Sequence, residues 1–341
     1  MKTTDPAMNE LISVVDNPGE WDTLVEMLPL SSLFLTATWG EYKSRKGWNV
    51  ARLKIDAALP GKPAGLLQLQ WKQKGLLTLF NVQGGIHVFD TSGKEDPYEY
   101  CLNALKHYLD GKAGFWMLMT SYDAHELPPA KIALLKAGFA PVLTSGMFTY
   151  LVNCTGEVTE NMLSSNWRHN LKRAQKNTKL VTRWAETAAD RTAAMQRASL
   201  MYDNLMQRKN FAAGVDVRKI SDLVVRDKNM LICEAVLDTE VVAIRVVHVA
   251  ATHVLDFLAA SNDAAKNCYA NYLLIWAMIG RTRMSGKSYF DAGGIDPCKN
   301  AGVFNFKKGL GGNLAVNGPL WVAASNGILK KSAQAMLCLL G

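Results

Sequence analysis

The run DAGGIDPCKNAGVFNFKKGLGG, residues 291–312, concentrates the chemistry of this chain. Two lysines, Lys307 and Lys308, follow two phenylalanines, Phe304 and Phe306, and six glycines punctuate the run. Such a run suits a phosphate cradle, a surface turn or the working end of a transferase. Asp291 ends a strand-like stretch and reads either as a general base or as a carboxylate that caps the following turn. Gly293 and Gly294 permit a sharp exit from that strand, by positive φ or by close backbone approach. The run is not a Walker loop, because GxxxxGK[ST] is missing, and no GxGxxG stands between a strand and a helix. On its residues alone it also reads as a pair of glycine turns around a short apolar segment.

The second stretch with chemical content is NWRHNLKRAQKNTKLVTR, residues 166–183, which carries Arg168, Lys172, Arg173, Lys176, Lys179 and Arg183 and no acid. Helical spacing puts positions 168, 172, 176 and 179 on one face, where like charges repel unless an anion lies against them. The stretch is therefore either a solvated basic face or a seat for a polyanion, and the lack of interleaved acids favours the second. Trp167 and Leu171 fall on another face and predict its attachment to a core. Other catalytic patterns are missing: there is no HExxH or GxSxG. The six histidines are dispersed, with His248 and His253 flanking a strand turn as structural residues. The six cysteines stand singly without a CxxC pair, so reduced core thiols are expected and no metal site is.

The elements that must position these residues follow from periodicity. In the first half, MNELISVV, GEWDTLVEML and TATWGEYKSRKG read as helices. WNVARLKI, AGLLQLQWK and LLTLFNV read as strands, then PYEYCLNALKHYLDG as a helix, GFWMLMTSY as a strand, PPAKIALLKAGF as a helix and GMFTYLVNC as a strand. In the second half, TENMLSSNWRHNLKRAQKN is a basic helix and KLVTRWA a strand. Two helices follow, then three strands within residues 230–261, the helix NYLLIWAMIGRTRMSG, the strand end SYFDAGG, short strands LAVNG and LWVAA, and a closing helix GILKKSAQAMLCLL. Each half thus orders helices, a meander of strands, a helix and a strand, which predicts an α/β (α+β) chain with a mixed sheet flanked by helices occurring twice. A length of 341 residues agrees with two domains, and the boundary is expected at NCTGE, giving 1–154 and 155–341.

Charge separates the halves. Residues 1–150 carry 14 Lys+Arg against 15 Asp+Glu, and residues 151–341 carry 24 against 15, so all of the net +8 lies in the second half. That half is expected to meet a polyanion: nucleic acid, a nucleotide or an anionic lipid head group. The amino-terminal residues lack an apolar signal region and no run is long enough to span a bilayer, so a cytoplasmic location is expected.

With these residues in view, the chain resembles the Fem aminoacyltransferases, enzymes built from two acetyltransferase-like (GNAT) domains that add amino acids to peptidoglycan precursors. Three segments carry the resemblance. FLTATWGEYKSRKGW supplies Trp39 and Lys43, with Trp48 at slightly different spacing. SNDAAKNCYANYLLIWAMI supplies Tyr269 and Tyr272. YFDAGGIDPCKNAGVFNFKKGLGG matches the family's Y-D-x-G-G … F-K-x-G-F-G-G over its length. The order spans most of the chain. A long charged coiled-coil arm found in some members is absent, Leu310 stands where phenylalanine is usual, and Ala270–Asn271 replaces an alanine–proline pair. The basic helix is also similar to acetyltransferase-like proteins linked to exopolysaccharides.

The resemblance implies an aminoacyl group taken from tRNA and moved to an amine, with no bound cofactor. In that reading Lys307 supplies the cation at the leaving oxygen and Phe306 holds it. Asp291, Gly293 and Gly294 shape the turn beside it. Lys43 holds the phosphates of the acceptor precursor, and Trp39, Tyr269, Tyr272, Gly293 and Gly294 join it in binding substrate. Arg168, Lys172, Arg173, Lys176 and Lys308 track RNA. A lipid-linked acceptor would draw the protein to the inner face of the membrane, with GILKKSAQAMLCLL available there. The competing expectation is an acyl-CoA-dependent N-acyltransferase of the same superfamily, which needs a Q/R-x-x-G-x-G/A loop before a helix; RMSGKS, residues 283–288, is the nearest approach and lies at a helix end.

Overall fold

The structure, a computed structural model, describes residues 11–340 apart from 58–62, 90–95, 111, 113, 124, 126–127, 143–146 and 210–213. The chain divides into two units, one of residues 1–147 with 316–341 and one of residues 148–315.

The first unit is built on an antiparallel meander, β2 (Asn49–Asp56), β3 (Pro63–Lys74) and β4 (Leu77–Val82), extended by β1 (Ile12–Val14) at one edge. A helix, α3 (Pro97–Asp110), then carries the chain to β6 (Phe115–Thr120), which runs parallel to β4 with Phe80 opposite Leu118. Parallel neighbours need such a crossover. Leu53, Ile55, Leu67 and Leu69 alternate onto the face that packs against Cys101, Leu102 and Leu105 of α3. Two further helices precede the meander: α1 (Pro18–Glu26), whose N-cap Asn17 accepts from the Gly19 and Glu20 N–H groups, and α2 (Ala37–Arg45), capped by Thr36.

The second unit repeats that order. Strands β9 (Leu180–Trp184), β10 (Met230–Leu237), β11 (Glu240–Val249) and β12 (His253–Ser261) form an antiparallel meander. The helix α9 (Ala270–Met284) crosses to β13 (Tyr289–Asp291), parallel to β12, and β8 (Met147–Asn153) pairs with β13. The register of β11 and β12 slips where Val246 faces Leu258 and Val247 faces Asp256, so Phe257 is an extra residue that bends β12. The basic helix α5 (Ser165–Lys176) lies against α9 through Trp167, Leu171 and Ala174, all buried. A meander, a crossover helix and a parallel strand, twice in one chain, are a tandem α/β architecture.

The structure departs from the sequence reading in four places. Residues Ile12–Val14 of the expected first helix are a strand, because pairing with Leu53, Lys54 and Ile55 satisfies their backbone; residues 8–10 lie outside the described part. The expected helix over 159–177 is interrupted: Glu160–Met162 make one 3-10 turn and Leu163 and Ser164 are extended before α5 starts under its Ser164 cap. Residues 301–308, read as a turn, form a helix, α10 (Ala301–Lys308). The domain limits also differ. The strand β8 sits in the second unit's sheet, while β15 (Leu320–Ala324) and α11 (Gly327–Leu340) return to the first unit, where β15 lies between β6 and β7 (Ala140–Val142) and buries Trp321 and Ala323 in that core. LAVNG and LWVAA, adjacent in sequence, thus end in different sheets.

Candidate active site

At the end of β13 the Asp291 carboxylate turns back on its own chain. Its Oδ1 accepts from the Gly293 N–H at 2.8 Å and from the hydroxyl of Thr149 on β8, which lies 3.0 Å from the Gly293 carbonyl. Asp291 is 7% exposed. These bonds define a carboxylate that closes a turn, which is the capping role of the two read from sequence. Gly293 takes φ +73°, and a Cβ there would come within 2.6 Å of the Asp256 carbonyl; only glycine fits.

The helix α10 then presents the lysines. Its N-cap Asn300 accepts from the Val303 N–H at 3.3 Å, and Gly309 ends it. Lys307 stands in the last turn, where the helix dipole favours a cation, and its ammonium donates to the Gly294 carbonyl at 2.9 Å. Burial pushes Lys307 below the usual lysine range; Asp256 opposes that push, Arg245 adds to it, and Asp291 opposes it. Lys308 is exposed, with its Nζ 5.8 Å from the Phe304 ring centre. Leu310 is fully buried, so the residue that departs from the family pattern does a core-filling job.

Phe306 is locked in an aromatic cluster, 5.7 Å from the Trp167 ring centre and 5.0 Å from that of Tyr272, while Trp167 and Tyr272 stand 4.8 Å apart. Trp167 Nε1 donates to the Phe306 carbonyl at 3.1 Å. Asn170 donates to the Tyr272 hydroxyl at 3.0 Å, and Arg173 to the Tyr269 hydroxyl at 2.6 Å. Tyr269 adopts φ 59°, a left-handed conformation that a non-glycine residue enters at a cost of order 1 kcal/mol, and it opens α9 without a side-chain cap. Residues from α5, the start of α9 and α10, as far as 139 positions apart in sequence, therefore meet around Phe306, next to Lys307.

The cations of α5 are less alike than their spacing suggests. The Arg168 guanidinium donates to the Leu163 carbonyl at 3.1 Å, and the residue is half-buried. Lys172 stands 4.0 Å from Glu160, and Lys179 pairs with Asp238 at 3.4 Å. Acids from other elements thus relieve part of the repulsion. Lys172, Arg173 and Lys176 remain exposed.

The first unit holds the other expected contacts. Lys43 on α2 lies 4.9 Å from the Trp48 ring centre and 5.8 Å from that of Trp39. Lys72 of β3, which the sequence did not single out, lies 4.9 Å from Trp48 too, and donates to the Lys46 carbonyl at 3.2 Å. Burial lowers the Lys43 pKa, and Lys72 and Lys46 lower it further. Like charges gathered on one aromatic ring attract an anion. Trp39 is 5% exposed, donates to Gln83 Oε1 at 3.2 Å and packs on Phe34 and Tyr42, so it anchors α2 in the core. Lys43 and Lys307 belong to different units. His248 and His253 are buried in the second sheet, as structural residues would be. Among the described residues no group of three or more His, Cys, Asp or Glu could hold a metal ion, and no helix is long and apolar enough to cross a membrane.

Arg245 on β11 and Asp256 on β12 were missed by sequence reasoning. The available signal was a single charge inside each of two adjacent apolar strands, VVAIRVVHV and HVLDFLAAS, where a buried charge requires a partner.

Comparison with known proteins agrees with this geometry. Residues 164–308 match the family described as acetyltransferase (GNAT) domain. The second unit is thus a GNAT domain, and the chain is of the acyltransferase class. Over its whole length the fold is Fem-type: the chain is similar to the crystal structure of FemX, with a TM-score of 0.77 at 16% identity, covering 95% of this chain and 99% of that one. It is also similar to L-PGS from Bacillus licheniformis, with a TM-score of 0.59 at 13% identity, covering 95% and 96%. The C-terminal domain of a putative lysylphosphatidylglycerol synthetase from Agrobacterium fabrum matches with a TM-score of 0.54 at 14% identity, covering 78% and 83%. At these identities the likeness is one of fold. No curated protein matches the chain in sequence.

Proposed function

We propose that this protein is an aminoacyltransferase that takes an amino acid from its ester on tRNA and joins it to an amine of a cell-envelope precursor, a peptidoglycan unit or an amino-acid-decorated polysaccharide. The observation that carries the reading is Lys307, held at the end of α10 on the Gly294 carbonyl and next in the chain to Phe306, which packs on Trp167 and Tyr272, with the exposed cations of α5 on the same assembly. The acceptor amine attacks the ester carbonyl, a C–N bond forms, the C–O bond breaks, and the ribose oxygen leaves as a hydroxyl. Negative charge grows on the carbonyl oxygen and then on the ribose oxygen, and a fixed ammonium beside them lowers the barrier. No covalent nucleophile is needed.

Lys172, Arg173 and Lys176 would meet the RNA backbone, with Lys308 near its 3′ end. Lys43, Lys46 and Lys72 around Trp48 would hold phosphates of the acceptor, and a lipid-linked acceptor would bring the protein to a membrane surface. The acyl-CoA alternative has weaker support. The segment from β12 to α9, residues Asn262–Tyr269, contains no glycine to admit a pyrophosphate.

Binding of charged and bulk tRNA at low salt, weakening as salt rises, is the expected result. Failure to bind tRNA ends the reading, and saturable acetyl-CoA binding by calorimetry would replace it with the acyl-CoA one. Mass spectrometry of envelope precursors from a deletion strain should reveal a lost aminoacyl increment and so identify the acceptor.

A further inference from the structure

Beneath the aromatic cluster the second sheet contains two charges that the proposed chemistry does not use. Arg245 is 5% exposed and Asp256 is 8% exposed. Arg245 Nη1 donates to Asp256 Oδ2, and its Nη2 stands 3.4 Å from Asn271 Oδ1 at the start of α9. Arg245 Nε and Asp256 Oδ1 are both buried without a hydrogen-bond partner. Such incomplete satisfaction is costly in a core and calls for a role.

The surroundings indicate one. Asp256 lies at the bulge of β12, next to the extra residue Phe257, and its carbonyl is the atom that excludes a side chain from position 293. Lys307 Nζ would lie 3.5 Å from that same Cβ. The guanidinium carbon of Arg245 stands 5.9 Å from the Phe306 ring centre. The main chain of Asp256 therefore abuts the turn that receives the Lys307 ammonium, and the Arg245 guanidinium lies over the residue that precedes Lys307 in the chain.

We propose that Arg245 and Asp256 are positioning residues for Lys307: the buried pair, packed against Phe306 and the Gly293 turn, fixes where the lysine stands and balances its charge. The charged groups facing Lys307 are Asp256 from β12, Arg245 from β11 and Asp291 from β13. Arg245 and Asp256 act in opposite directions, Asp256 favouring the ammonium and Arg245 opposing it. The catalytic meaning of the pair rests on the aminoacyl-transfer reading; its action on Lys307 does not.

The test measures Lys307 directly in the full chain. Trace acetic anhydride is reacted across pH 6–11, and acetylation of the Lys307 peptide is followed by mass spectrometry. Asp256→Asn keeps size and the contact to Arg245 but removes the negative charge. It should move the Lys307 midpoint about one pH unit lower, so that below the midpoint Lys307 labels roughly tenfold faster. Arg245→Gln should move the midpoint up by a similar amount. Because Arg245→Gln leaves Asp256 a buried unpaired carboxylate and can fail to fold, the double variant R245Q/D256N is compared with D256N: the two differ only at Arg245, so the midpoint of the double must lie above that of D256N. Shifts in the same direction for both charges, or no shift with either, overturn the proposal. The assay contains no donor or acceptor. Opposed shifts in a protein that does not bind tRNA would discard the donor assignment and keep the positioning role.

Discussion

Lys307 is the residue on which the proposed chemistry depends, and its environment explains both its fixed position and its reactivity. The ammonium is tied to the Gly294 carbonyl, its neighbour Phe306 is clamped between two rings, and burial works against its charge. Lys307→Met removes the cation while keeping the length of the side chain. Transfer, measured once the acceptor is identified, should fall about 10²–10³-fold in kcat, with tRNA binding and the thermal melt little changed. The depressed pKa adds a pH prediction: activity needing the ammonium should decline on the alkaline side at a pH below that of an ordinary lysine. Gly293→Ala tests the turn. The left-handed φ costs about 1 kcal/mol for any L side chain, and the Asp256 carbonyl must move as well, so a loss of roughly 2 kcal/mol and a Tm drop of about 4–8 °C are expected for a unit of this size.

At the scale of elements, α5 has two faces with separate work. Trp167, Leu171 and Ala174 bury one face against α9 and α10, while Lys172, Arg173 and Lys176 stay outside. Replacing Lys172 and Lys176 together by Gln should weaken tRNA binding without altering the far-ultraviolet circular dichroism. The slope of log affinity against log salt should shrink by about 1.4–1.8, because each lost phosphate contact removes 0.7–0.9. An unchanged slope would mean that this face is only solvated. The helix α10 shows why a glycine-rich run can mislead: Gly302 weakens helix propensity, yet the Asn300 cap, the seat for Phe306 between Trp167 and Tyr272 and the buried Leu310 offset that weakness through contacts with residues 130 or more positions earlier, among others.

For the molecule as a whole, each unit contains a buried histidine held neutral. Burial lowers the pKa of His87 in the first unit and of His248 in the second from 6.5 to about 4. The unfolded chain takes up protons below about pH 6.5 while the folded chain does not. Stability is therefore complete above pH 6.5 and falls as pH drops toward 4, by roughly 2 kcal/mol per unit at pH 5. Urea melts at pH 7.5 and pH 5 check this, and His248→Gln should flatten the response of the second unit. The return of residues 316–341 to the first unit makes another prediction. A fragment of residues 1–154 lacks β15, which lies between β6 and β7, and lacks Trp321 from its core, so it should not fold cooperatively in a thermal melt, whereas the full chain should.

Local pattern was enough to determine the strands of both meanders, the crossover helices α3 and α9, the α/β class and the concentration of positive charge in the second half, because alternation, capping residues and charge act over a few neighbouring positions. The Lys307 region was marked by residue types alone, and its resemblance to Fem enzymes named the fold. What only the tertiary structure decided was who meets whom. Asp291 became a turn cap when Thr149 and the Gly293 N–H closed on it, Trp39 became an anchor under α2, and Arg168 met the Leu163 carbonyl. The destination of β15 depended on an open position beside β6, a strand more than two hundred residues earlier, and the Arg245–Asp256 pair exists only because two apolar strands lie side by side. These outcomes follow from long-range burial and from the need to pair charges removed from water; a local window of sequence can show a charge inside an apolar strand, but not the partner that meets it.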